Sequence, residues 1–97
     1  MAQLNGGSVK ITASGAIGVS AKPTTIYSYT VLSTGTAGVV ILKDLNTSGI
    51  ERHRSTGTIS QGITVFFGAN GKYFPGGAWV DVDANTTYVD FDYAQQA

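Results

Sequence analysis

The chain has no cysteine, only two prolines, one histidine and one tryptophan. Without cysteine there is no disulfide framework, no thiolate nucleophile and no cysteine-ligated metal, and the usual indicator of redox compartment is missing. Charge is also scarce. Acids and bases make up 12% of the residues, against roughly 25% in an ordinary soluble domain. Six bases balance six acids, which argues against holding nucleic acid by phosphate neutralisation. The longest aliphatic run, Val39 to Leu42, is too short to cross a bilayer, and the opening Met1 to Gly7 lacks a basic stretch followed by an apolar one. The expectation is therefore no membrane segment and no export signal, with Asn46-Thr47-Ser48 and Asn85-Thr86-Thr87 read as turns rather than glycosylation sites.

Helical signals are missing too. Leu and Glu are few, no window keeps an i, i+3, i+4 apolar rhythm, and 13 glycines interrupt the chain. What remains is period-2 alternation. Short strands are expected at Val9 to Thr12 and Ile17 to Val19 about Ser14-Gly15, and at Thr25 to Leu32 with Tyr27, Tyr29 and Val31 on one face. Val39 to Lys43 is apolar on both faces and suits a central strand. The loop Asn46 to Gly49 leads to Glu51 to Thr56; Gly62 to Phe67 follows, then the breaks Asn70-Gly71 and Phe74-Pro75-Gly76-Gly77. Seven or eight short strands at this spacing predict one all-β domain over residues 1–97, an antiparallel sandwich or small jelly-roll-like barrel. Residues 1–7 and 94–97 lack core patterning and are expected to be flexible or arm-like.

Residues 79–93 are the most informative stretch. Val80, Val82, Val89, Phe91 and Tyr93 alternate with Trp79, Asp81, Asp83, Tyr88, Asp90 and Asp92, which reads as a hairpin with a core face and an acidic, aromatic outer face. Four of the six acids lie beyond residue 80, where there is no base. Hairpin pairing would set Asp81 opposite Asp90, a repulsive arrangement that needs a counterweight. Arg52 and Arg54 repeat at the same pitch, about 6.6 Å along a strand, and are the expected partners of Asp81 and Asp83, within one subunit or between two.

Little in the chain resembles catalytic machinery. The single histidine, His53, stands between Arg52 and Arg54, and there is neither a nucleophile elbow nor a phosphate-binding loop. His53 is read as a half-exposed strand residue. Asp81-x-Asp83-x-Asn85-x-Thr87 imitates the start of a calcium loop, but its sixth position is Thr86 rather than Gly and its twelfth is Asp92 rather than Glu. Neither enzymatic activity nor a cofactor or metal is expected. The candidate contact residues are Phe66, Tyr73, Phe74, Trp79 and Tyr88, beside Arg52, Arg54, Asp81, Asp83, Asp90 and Asp92.

At Tyr29-Thr30-Val31-Leu32-Ser33, Gly38 to Asp44 and Phe74 to Val82 the chain resembles small all-β virion proteins of tailed bacteriophages that decorate or cement capsids. The resemblance spans about residues 25–93 and rests on strand and turn patterns. It implies a non-enzymatic protein present on a shell in many copies, assembled in the host cytoplasm, bound to the major capsid protein and to its own neighbours. The polar run Glu51 to Arg54 departs from the more apolar strand expected there. The other reading is a carbohydrate- or receptor-binding module of a phage fibre or surface protein, with Trp79 and Tyr88 as a stacking platform for a glycan.

Overall fold

In a computed structural model, residues 4–33, 37–58 and 63–96 are described. They form nine strands: β1 Leu4–Ile11, β2 Gly15–Ala16, β3 Thr24–Ser33, β4 Ala37–Asp44, β5 Glu51–Thr58, β6 Ile63–Phe66, β7 Lys72–Phe74, β8 Ala78–Val82 and β9 Thr86–Gln96. The protein is a β-sandwich of two antiparallel sheets. One sheet runs β1-β9-β3-β6, with β7 also on β3; the other runs β2-β8-β4-β5. The count exceeds the expected seven or eight for two reasons. β2 has only two residues, and β6 and β7 are two pieces of one edge, pairing with Ser28 to Val31 and Thr24 to Ile26 of the same strand.

Each sheet turns its alternating apolar face inward. Ile26, Tyr29, Val31, Phe74, Val89 and Phe91 from one sheet meet Val40, Leu42, Ala78 and Val80 from the other, with Ile17 beside them. Full burial of such side chains contributes about 1.5 to 3 kcal/mol each, which is the main force closing the two layers. β4 is central, as its two-faced apolar run requires, with Val40 and Leu42 buried. A bulge between Ile26 and Ser28 makes Tyr27 the extra residue. Tyr27 therefore drops out of the alternation that carries Tyr29 and Val31 inward.

The segment 79–93 is not a hairpin. β8 pairs with β4 while β9 pairs with β1 and β3, so the chain crosses from one sheet to the other between Val82 and Thr86. Asp83 builds the crossing: its Oδ1 accepts from Asn85 N and Thr86 Oγ1, and its Oδ2 from Val39 N. Val80 and Val89 still share the core, but they approach it from opposite layers. The chain changes sheet similarly between β1 and β2, where Ser14 Oγ accepts from Val82 N. Gly15 is itself part of the β2 ladder to Val80, rather than the tip of a turn.

Both expected arms are strands where described. Leu4 to Ile11 pairs continuously with Gln96 to Val89. Gln95 is buried, and its Nε2 donates to Val19 O at 2.8 Å and Thr24 Oγ1 at 2.9 Å while Oε1 accepts from Val19 N at 2.9 Å. A polar residue inside a sandwich is tolerated when its amide is satisfied in this way, and it fastens the end of β9 to the loop after β2.

Candidate interaction surfaces

The outer face of the β2-β8-β4-β5 sheet is organised by Asp81. Trp79 Nε1 donates to Asp81 Oδ1 at 2.8 Å, Lys43 Nζ lies 2.7 Å from Oδ2, and Thr47 Oγ1 donates to the same carboxylate. Lys43 comes from the neighbouring strand β4, where it stands opposite Trp79. Partial burial pushes the Asp81 carboxyl up, but the bonds from Lys43, Trp79 and Thr47 and the Lys43 charge outweigh it and hold the group below its usual range. Asp81 thus faces Lys43 rather than Asp90, so the like-charge pair expected from a hairpin does not arise.

Within one subunit the arginine ladder does not form, for the same topological reason. β4 lies between β5 and β8, which keeps Arg52 and Arg54 a full strand away from Asp81 and Asp83. Arg52 instead bonds Asp44 at 3.1 Å and Arg54 pairs with Glu51 at 2.7 Å. Glu51 is held below its usual range and Arg54 above its own, each chiefly by their mutual hydrogen bond. The polar run Glu51 to Arg54 lies on an edge strand carrying a bulge, and charges and bulges are what blunt such an edge.

On the other sheet, Asp90 and Asp92 occupy the outer face of β9. Asp92 accepts from Ser8 Oγ at 2.8 Å and Ser28 Oγ at 3.3 Å, and Asp90 stands between Lys10 of β1 and Thr30 of β3. Lys10 Nζ sits 4.5 Å from the centre of the Tyr88 ring, a cation–π contact. Trp79 and Tyr88 belong to different sheets, so they do not form a joint stacking platform. The expected acidic face is divided between the two outer surfaces of the sandwich.

Two of the aromatic candidates do come together. Phe66 pairs with Ser28 and Tyr73 with Thr25, and these lead across β3 to Asp92 and Ala94 of β9. Asp92 and Ala94 have the same parity, so Phe66 and Tyr73 share the outer face of the β6-β7 edge, about 7 Å apart along the strand. They are 77% and 55% exposed. Phe74 is a correction: it is fully buried opposite Thr24 and belongs to the core, not to a contact surface.

His53, expected as a half-exposed strand residue, is partly buried and takes part in the packing of the sandwich. The ring lies on the inner side of β5, with Nε2 2.8 Å from Tyr29 Oη and the ring edge-on to Phe67 at 4.9 Å. Burial first, and the Lys72 charge second, lower its pKa, while burial raises that of the Tyr29 phenol. The available signal was parity: Leu42 is inward, and His53 is its partner across the β4–β5 ladder. Among the described residues, no three histidine or acidic side chains converge as a metal site. Compared with protein-family models and with curated protein sequences, the chain finds no match.

Proposed function

We propose that the protein is a non-enzymatic structural component of a tailed-phage virion, one that decorates or cements the capsid by binding the major capsid protein and neighbouring copies. The observation that carries this reading is the exposed Phe66–Tyr73 pair on one sheet edge. Large aromatic side chains held on rigid strands supply contact area with little conformational entropy to lose, and they are frequent anchors of protein interfaces. The distribution of charge supports the same reading. Asp81, Asp44 and Glu51 are engaged by Lys43, Arg52 and Arg54, and Asp83 holds a turn. His53 is held against Tyr29 and Phe67. These groups are occupied in maintaining the sandwich, which suits a shell component better than a catalyst.

The test is sedimentation of particles with wild-type protein and with a Phe66→Ser, Tyr73→Ser variant. Both residues are exposed, so the variant is expected to keep its melting temperature and to be lost from the particle fraction. A variant that stays bound as tightly as the wild type, or a wild type that never enters the particle fraction, sinks the proposal.

A further inference from the structure

Among the described strands the two sheets have four edges, and three of them are guarded. β2 is only two residues long, β5 carries a bulge with Glu51, Arg52 and Arg54, and the β6-β7 edge is broken between Phe66 and Lys72. Short length, charge and interruption are the usual means by which a sheet edge avoids pairing with another chain. β1 is neither short nor interrupted, and it carries a single charge, Lys10. It runs eight residues in unbroken register with β9 and among the described residues leaves its other side without a strand partner.

We infer that β1 is a homodimerisation edge: two copies pair antiparallel through β1 about a two-fold axis, making one continuous sheet across both subunits. The register that places Val9 opposite Val9 of the partner subunit satisfies the edge on both faces. On the outer face, Lys10 of the partner subunit stands opposite Ser8, whose neighbour on β9 is Asp92. Two strand spacings amount to about 9.6 Å between those backbones, a gap that a carboxylate and an extended lysine, once Lys10 exchanges the Tyr88 ring of its own chain for the other subunit, close together over a side chain as small as serine. On the core face, Ile11 of the partner subunit stands opposite Gly7. Nothing lies within 4 Å of the position a Cβ would take there, so the glycine leaves room for the isoleucine. Val9 and Ile11 are only partly buried against the core in the single chain, and pairing covers more of both. Charge and shape therefore select the same register, and a two-fold interface is self-complementary by construction. This inference is independent of the virion reading, since it needs no partner other than the protein itself.

The experiment uses purified full chain alone. Sedimentation velocity from about 1 µM to about 100 µM is expected to show a concentration-dependent dimer. Lys10→Asp is expected to weaken the dimer about tenfold or more, and the charge-swapped Lys10→Asp, Asp92→Lys variant to restore it, with melting temperatures recorded to show that both fold. Because the chain has no cysteine, the register is readable by cross-linking. A mixture of Ser8→Cys and Lys10→Cys proteins is expected to form a disulfide dimer faster than either alone, and faster than Arg54→Cys on the guarded edge. Four results overturn the inference: a monomer throughout the concentration range, a dimer indifferent to Lys10→Asp, cross-linking no faster than the Arg54→Cys control, or β1 amides that gain exchange protection only on particles.

Discussion

Single side chains fix much of the local geometry, and Asp81 does most among them. It accepts from an indole, an ammonium and a hydroxyl. Asp81→Asn is therefore expected to destabilise the protein by about 1 to 2 kcal/mol in urea unfolding and to shift Trp79 emission. Its folded pKa is depressed, so its contribution is present above the unfolded value of about 4 and is lost as pH falls below it; the asparagine variant should lack that part of the acid loss. His53 acts at a higher pH with the same sign. Its folded pKa is lowered, so the unfolded chain takes up the proton more readily. Stability is complete above about pH 6.5 and declines as pH falls through that value, and His53→Gln is expected to flatten the decline. The arginines should matter little. Arg52→Ala and Arg54→Ala each remove an ion pair on an exposed edge, and thermal melts are expected to move only slightly.

At the level of strands, the alternation in the sequence told which side chains turn inward, and it told this well for Val80, Val89 and Phe91, all buried. It could not tell which strand pairs with which. A hairpin and a crossing between two sheets carry the same alternation and the same polar turn, and both send Val80 and Val89 toward one core. The deciding interaction is Asp83 with Val39 N, a contact between residues far apart in sequence that no local pattern encodes. The arginine partners and the supposed Trp79–Tyr88 platform inherited that ambiguity, whereas Phe66 was legible by its opposite parity to Phe67; Tyr73 and Phe74 were equal candidates until the pairing with β3 exposed the first and buried the second. The tail shows another limit. Ala94 to Ala97 has no apolar rhythm, yet Gln95 is buried by its hydrogen bonds rather than its hydrophobicity. Gln95→Ala would strand Val19 N, Val19 O and the acceptor side of Thr24 Oγ1, and a loss of about 2 to 3 kcal/mol is expected by denaturant unfolding. A melt unchanged from wild type would show the tail to be dispensable.

For the whole molecule, the route of the chain matters more than any one contact. Among the described strands, β4 and β5 are successive neighbours joined by a turn, whereas β1 must find β9 and β8 must find β4 across long stretches of sequence. Such distant pairings require loop closure before they bring any gain, so refolding followed by Trp79 fluorescence is expected on the millisecond-to-second scale typical of β-sandwiches. A microsecond phase carrying the full amplitude would contradict this.

The pairing of β1 with β9 has a mechanical consequence as well. Leu4 lies opposite Gln96, and the ladder runs from there to Ile11 opposite Val89. A force that separates Leu4 from Gln96 loads the hydrogen bonds one rung at a time, as a zipper is opened, instead of shearing all of them together. Tethered through those two positions, the β1–β9 ladder is expected to open at low load.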